Sequence, residues 1–141
     1  MDDLNKTATR THTTGGILFL LAGIAHTIGQ FAPSTPDPGS TAVETAMKQF
    51  VIPGADFTYW NIMQCWGALY GGMTFLFGAL VLAVGHWTDH DLRGHRVTAI
   101  TGAVAAALQA TISLAFHTPS PAFFMIPCAL LFVISAVKGR A

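Results

Sequence analysis

Three long apolar stretches dominate the chain, with short polar segments between them. Residues 11–36, 57–88 and 97–137 contain no Asp, Glu, Lys or Arg. A helix needs about 20 apolar residues to cross a bilayer core of about 30 Å, so each stretch can supply at least one membrane span. A core helix of a soluble protein carries charged and polar residues on its outer face. These stretches contain no charged residues, so they do not have the pattern of soluble core helices.

The number of spans follows from the lengths of the stretches and from their prolines. The first stretch predicts a span at residues 15–31 and the second a span at residues 61–85. The third stretch is about twice the required length, and a Thr-Pro-Ser-Pro segment at residues 118–121 interrupts it. Because proline breaks helix interiors, this stretch predicts two spans, at residues 97–117 and 122–137.

The remaining segments predict a loose polar tail at residues 1–14 and an outer loop at residues 32–60. Within the loop, Thr41 and Glu44 have the spacing of a capping box, and Pro53-Gly54 is expected to end the short helix. The apolar residues of this helix share one face: Val43, Met47, Phe50 and Val51. The predicted fold class is therefore all-α, an integral membrane four-helix bundle over residues 15–138 with a short amphipathic helix on its outer face.

The distribution of Lys and Arg predicts the orientation of the chain. Six of these seven residues lie in the N-terminal tail, between spans two and three, or at the C-terminus, and only Lys48 lies in the outer loop. Cytoplasmic loops carry the excess of Lys and Arg, so we expect a protein of the cell (inner) membrane with both termini cytoplasmic. As an alternative, the first apolar segment resembles a signal peptide, with residues 23–25 as a small-residue cleavage site.

The overall composition excludes several classes of protein. The chain is 52% hydrophobic and has a mean hydropathy of +0.51 and a formal net charge of zero. This composition excludes a nucleic-acid binder, which needs a basic patch, and an ordinary soluble domain. The expected partners are membrane lipids and a second copy or a larger membrane complex. Two stripes of small residues could pack helices closely: Gly67 with Gly71, and Gly102 with Ala106 and Ala110.

Polar side chains within the spans gather in the predicted outer half of the membrane. They fall in pairs on three spans: His26 and Gln30, Asn61 and Gln64, and Gln109 and His117. Their spacings place each pair on one face of its helix. Polar groups in hydrocarbon usually face the protein interior, so we predict an outward-facing polar pocket in which His26 contacts Asn61, Gln64 or Gln109. The alternative is that these side chains only cross-link helices.

No resident cofactor is predicted, with haem b as the alternative. A haem in a helical bundle needs two axial histidines at matching depth, and His26 and His117 are the candidates within or at the edge of the spans. Their depths differ by about 7 Å at 1.5 Å per residue, which disfavours a shared iron.

The sequence gives only weak indications of a metal site or of thiol chemistry. His86, His90 and His95 lie close in sequence, but they match no zinc motif, so no metal site is predicted. Cys65 and Cys128 are expected at similar depth without Cys-x-x-Cys spacing, and we interpret both as buried small apolar residues.

One family resemblance rests on short motifs. Gly-Ile-Ala-His-Thr-Ile-Gly-Gln-Phe at residues 23–31, Ala-Met-Lys-Gln-Phe at residues 46–50 and Gly-Ala-Leu-Tyr-Gly at residues 67–71 carry it. They resemble an uncharacterised family of small four-span bacterial membrane proteins, which is itself loosely similar to the DoxX group. The resemblance covers about residues 16–87, with the last two spans agreeing only in hydropathy. The resemblance implies the four-span architecture and singles out His26, Thr27 and Phe31 as residues of the shared motif. It implies no activity.

These observations favour a non-enzymatic membrane protein that binds an apolar or lipid-like ligand or serves as an accessory subunit. The alternative is a small membrane enzyme that acts on a lipid-like substrate with His26 as its acid or base. The absence of a carboxylate from every predicted span weakens the enzyme hypothesis.

Overall fold

The structure, a computed structural model, describes residues 2–32, 37–87, 92–115 and 119–139. It has five helices: α1 (Asp2–Phe31), α2 (Pro38–Gln49), α3 (Tyr59–Trp87), α4 (Leu92–Ala115) and α5 (Pro119–Lys138). Among the described residues no strand is present, and one isolated antiparallel bridge joins Val51 to Thr58. The all-α fold class predicted from the sequence is confirmed.

Four helices are long and apolar enough to cross a membrane. The qualifying segments are Lys6–Phe31, Tyr59–Trp87, Gly94–Ala115 and Pro121–Lys138. Many of their large apolar side chains are exposed, including Trp66 at 69% and Phe123 at 79%. Such an exposed apolar surface is unusual for a soluble monomer, and lipid would cover it in a membrane protein. By length and composition, the four predicted spans are therefore matched by four membrane-capable helices.

The structure corrects the expectation of a loose tail at residues 1–14. Helix α1 begins at Asp2, and His12 within it is only 1% exposed. The buried residues of α1 recur at helical spacing from Ala8 through His12 to Phe19. This face continues the apolar face of the span toward the N-terminus, so tertiary packing keeps the Thr-rich segment helical.

The chain divides into two compact units. The first consists of Met1–Ala22 and Thr74–Ala141, and the second of Gly23–Met73. Segments of α1, α3, α4 and α5 form a four-helix bundle in the first unit. Phe19 and Phe132 are fully buried in its centre, with ring centroids 5.9 Å apart, and Phe19 also packs on Phe77 of α3 at 5.1 Å.

Small residues bring the helices of the first unit close together. A Cβ atom built on Gly78 of α3 would lie 2.5 Å from the backbone nitrogen of Leu20 and 2.9 Å from the carbonyl oxygen of Gly16. Helices α1 and α3 therefore touch backbone to backbone. The predicted stripe on α4 is also used inside this unit, because Gly102, Ala106 and Ala110 are buried.

The hairpin between α4 and α5 fits the prediction of two separate helices. Helix α4 ends at Ala115 and α5 begins at Pro119. Proline is well tolerated in the first turn of a helix, where its missing N–H group would have no helical partner. Pro127 lies inside α5.

In the second unit, helix α2 begins one turn earlier than the capping box predicted. Its N-cap is Asp37, whose carboxylate accepts a hydrogen bond from the backbone N–H of Ser40 at 3.0 Å, and Pro38 follows in the first turn. Asp37 caps the helix, and the proline ring of Pro38 holds φ near the helical value. The helix therefore begins before Thr41, which lies within it. None of the residues of α2 is buried.

The segment after α2 is a tight loop that leads into α3. Helix α2 ends at Gln49, before the predicted Pro53-Gly54 stop. Those two residues instead form a turn, in which the N–H of Ala55 donates to the carbonyl of Ile52 at 3.0 Å. Gly54 has φ +81°, a conformation that side-chain-bearing residues rarely adopt.

Candidate functional site

A cavity of about 790 Å³, open to the surface, lies within the second unit. It is bordered by the end of α1, the start of α3 and one carboxylate of α2. The lining residues are Gly29, Gln30, Phe31, Ala32, Glu44, Trp60, Met63 and Gln64. Its size is in the range of small-molecule sites, which are mostly apolar with a few placed polar groups. Gln30 and Gln64, both predicted as site residues, are brought together in its wall.

Glycines on α3 make room for the polar side chains of α1. The amide group of Gln30 lies directly against Gly67, where a Cβ atom would overlap it. Thr27 packs in the same way on Gly71, and its hydroxyl donates to the carbonyl of Gly23 at 2.9 Å. The predicted stripe of Gly67 and Gly71 therefore seats α1 side chains inside this unit, as close helix packing requires.

The two glutamines give the cavity its hydrogen-bonding capacity. Gln64 is half-buried, and its Oε1 atom has no hydrogen-bond partner among the described residues. A buried amide oxygen without a partner costs about 1–3 kcal/mol.

Charges at the rim of the cavity are paired. Lys48 Nζ lies 2.5 Å from Glu44 Oε1, one turn apart on α2. The same ammonium group lies 4.9 Å from the ring centroid of Trp60, within cation–π range. The rim is therefore close to neutral and includes an aromatic surface.

His26 packs on an aromatic residue of α3. Its ring packs against Tyr70 in an edge-to-face arrangement, with centroids 4.7 Å apart. His26 Nε2 is buried and has no hydrogen-bond partner in the described parts of the chain. His26 is not among the residues that line the cavity. The predicted polar contact to Asn61, Gln64 or Gln109 is thus not made through this nitrogen.

Asn61, also predicted as a site residue, is a capping residue and is not among the residues that line this cavity. Its Oδ1 atom accepts hydrogen bonds from the backbone N–H of Thr58 at 2.9 Å and from the Thr58 hydroxyl at 2.8 Å. In return, the N–H of Asn61 donates to Thr58 Oγ1 at 3.3 Å. Because α3 begins at Tyr59, Asn61 stands where the second partner of a capping box belongs.

The other predicted residues lie elsewhere. Gln109 is half-buried in α4 and belongs to the first unit, and His117 lies outside the described residues. Cys65 is exposed rather than buried, Cys128 is buried as expected, and neither forms a disulfide. Within the described ranges, no three His, Cys, Asp or Glu residues are grouped to hold a metal ion.

The first unit contains a histidine pair that the sequence analysis missed. His12 is 1% exposed and His95 is 7% exposed, and their ring centroids are 4.8 Å apart. Phe132 packs edge-on against His12 at 5.7 Å. The sequence feature that indicates the burial of His12 is its helical spacing with Ala8 and Phe19. This spacing extends the buried face of α1 beyond the purely apolar segment.

The fold and composition together define an α-helical membrane protein. No protein-family model, curated protein or solved structure matches this chain. Its function has therefore to be argued from its own geometry.

Proposed function

We propose that this chain is a multi-pass membrane protein that binds a lipid-like amphiphile in the cavity of the second unit. The observation that carries the proposal is a cavity of about 790 Å³ whose wall places Gln30 and Gln64 beside the apolar surface of Trp60. The lining offers polar and apolar surface in similar amounts, which favours an amphiphilic ligand with an alkyl body and a polar head.

The side chains of the cavity suggest which end of the ligand binds where. Phe31, Met63 and the ring of Trp60 offer apolar surface, and Gln30 and Gln64 offer neutral donors and acceptors. Lys48 already neutralises Glu44, so the site has no uncompensated charge to attract an ion. We therefore favour a neutral head with a hydroxyl group, such as that of a monoacylglycerol.

The orientation supports access from the outer leaflet. Residues of the outer loop line part of the cavity, and Lys48 is the one Lys or Arg residue of this loop. Because loops with few Lys and Arg residues are typical of the outer side, the positive-inside rule favours an outer position for this loop. Both termini are cytoplasmic in this arrangement. Trp60 and Tyr59, at the start of α3, then lie at the level where aromatic residues anchor membrane proteins.

Fluorescence quenching tests the proposal with a monoacylglycerol that carries bromine on its acyl chain. We expect this probe to quench Trp60 in the full-length protein in detergent micelles. Gln64→Leu should weaken binding about three- to tenfold, because one hydrogen bond to the head group is lost. Titration of the probe against Trp fluorescence gives the dissociation constant of each variant.

The matched control is Gln49→Leu, which changes an exposed glutamine of α2 that does not line this cavity. It should leave the dissociation constant unchanged. Trp60→Phe should remove the saturable part of the quenching, which would show that this part comes from Trp60. Equal affinity for the probe in Gln64→Leu and the unaltered protein would contradict the proposed role of Gln64.

A further inference from the structure

One exposed stripe of α1 changes from basic to apolar along its length. Lys6 and Arg10 are exposed one turn apart, and Ile17 and Leu21 continue the same helix face at 44% and 51% exposure. The opposite face of this segment is buried in the first unit, where Phe19 is fully enclosed. The α1 stripe, defined as Lys6, Arg10, Ile17 and Leu21, therefore points away from the bundle.

Two threonines lie at the level where the α1 stripe changes from basic to apolar. Thr13 and Thr14 are exposed between Arg10 and Ile17, and each hydroxyl can donate and accept hydrogen bonds. The head-group region extends about 5–8 Å beyond the hydrocarbon core on each side of a bilayer. At 1.5 Å per residue, Thr13 and Arg10 lie about 6 Å and about 10 Å from Ile17 along the helix. With Ile17 at the edge of the hydrocarbon, these polar side chains lie among the lipid head groups.

The helices packed against α1 supply no carboxylate to pair with Arg10. Helices α3, α4 and α5 contain no Asp or Glu, and neither does α1 within six positions of Arg10. In the described parts of the chain, Arg10 forms no ion pair. Asp89 and Asp91, between α3 and α4, lie outside the described residues. Among the described residues, Arg10 thus places an unmatched positive charge at the level of the head groups, next to an apolar helix face.

We propose that the α1 stripe binds a phospholipid with a net negative head group, from the leaflet on the N-terminal side of α1. The phosphate pairs with Arg10, the hydroxyls of Thr13 and Thr14 donate to its oxygens, and an acyl chain lies along the apolar half of the stripe. A phosphatidylglycerol head fits this surface, because a choline or ethanolamine head would bring a second cation close to Arg10. The proposal concerns the first unit and does not depend on the proposed function.

Photo-crosslinking in a bilayer tests the proposal at the stripe itself. Leu21 is replaced by p-benzoylphenylalanine, and the full-length protein is reconstituted in vesicles of phosphatidylglycerol and excess phosphatidylcholine with identical acyl chains. An intact bilayer is used because the stripe is open to lipid, so its occupant exchanges and detergent would dilute it away. The mass of each adduct identifies the captured lipid. We expect phosphatidylglycerol to be enriched about fivefold over its share of the vesicle, the attraction typical of one basic residue at a membrane surface.

The same probe at Leu80 of α3 is the positional control. Leu80 is 56% exposed and lies at a comparable depth, because a Cβ atom on the nearby Gly78 would lie 2.5 Å from the backbone nitrogen of Leu20. Helix α3 carries no Lys or Arg, so this position should capture the two lipids in the ratio of the vesicle. Equal enrichment of phosphatidylglycerol at Leu21 and Leu80 would overturn the proposal.

Charge variants in the Leu21 probe background assign the enrichment to individual residues. Arg10→Gln should lower it about fivefold, and Arg10→Lys should retain most of it. Lys6→Gln should have a smaller effect, because Lys6 lies one turn further from the apolar half and follows Asp2 and Asp3 by one turn. Arg96→Gln removes an exposed charge beside His95, which contacts His12 of α1, and should leave the enrichment unchanged. Unchanged enrichment in Arg10→Gln, or equal losses in Arg10→Gln and Arg96→Gln, would contradict a specific site on α1.

Discussion

Replacement of Gly78 by leucine is expected to lower the free energy of unfolding by about 3 kcal/mol, at the upper end of typical overpacking costs. The added Cβ atom alone would lie 2.5 Å from the backbone nitrogen of Leu20 and 2.9 Å from the Gly16 carbonyl oxygen. A backbone cannot rotate away as a side chain can, so α1 and α3 must separate. Equilibrium unfolding in mixed micelles measures the change.

Gly72→Leu is the matched control on the same helix. No atom lies within 4 Å of a Cβ atom built at Gly72, and this position should gain about 0.8–1.0 kcal/mol of helix propensity. Its stability should therefore equal or exceed that of the unaltered protein. Similar destabilisation by both substitutions would show that glycine flexibility, and not the contact at Gly78, explains the result.

The second large effect is expected at Phe132. Replacement by alanine should cost about 3 kcal/mol, the low end for buried phenylalanine, because lipid solvates apolar groups better than water does. The Phe132 ring is fully buried and packs against Phe19 and His12. Cβ atoms on Gly15 and Gly102 would lie 2.9 Å and 2.8 Å from the ring, so these glycines form its slot.

A double-mutant cycle tests that packing directly. Gly102→Val should destabilise the protein in the presence of the Phe132 ring and be tolerated in the Phe132→Ala background, where the ring is gone. The two substitutions should therefore be strongly non-additive. Additive free energies of unfolding would mean that the ring does not occupy the slot beside Gly102.

The sequence predicted the spans because the relevant physics is local. Uncharged stretches of sufficient length and the Thr-Pro-Ser-Pro break at residues 118–121 indicate four apolar helices without knowledge of their partners. The N-terminal segment was predicted wrongly because its helical state depends on tertiary burial of Ala8 and His12. Local polarity alone favoured a tail.

Two of the residues assigned to the site from the sequence lie in the wall of the cavity, and the ligand-binding role of all of them stays a prediction. Gln30 and Gln64 could be placed by depth and helical phase, and both line the cavity. The capping role of Asn61 could not be predicted, because it depends on the residue at which α3 begins, and the ends of helices are difficult to predict from sequence. The pairing of His12 with His95 joins helices distant in sequence, which no local pattern reveals.

Native mass spectrometry of the protein released from its membrane tests amphiphile binding in the cavity most directly. Gly29 lines the cavity, and no atom lies within 4 Å of a Cβ atom built there, so Gly29→Trp should fill the cavity without a backbone clash. Gly72→Trp, at an equally open glycine outside the cavity lining, is the control. We predict one retained lipid-like molecule in the unaltered protein and in Gly72→Trp, and none in Gly29→Trp. Equal retention by Gly29→Trp, or no retained molecule in the unaltered protein, would contradict the account.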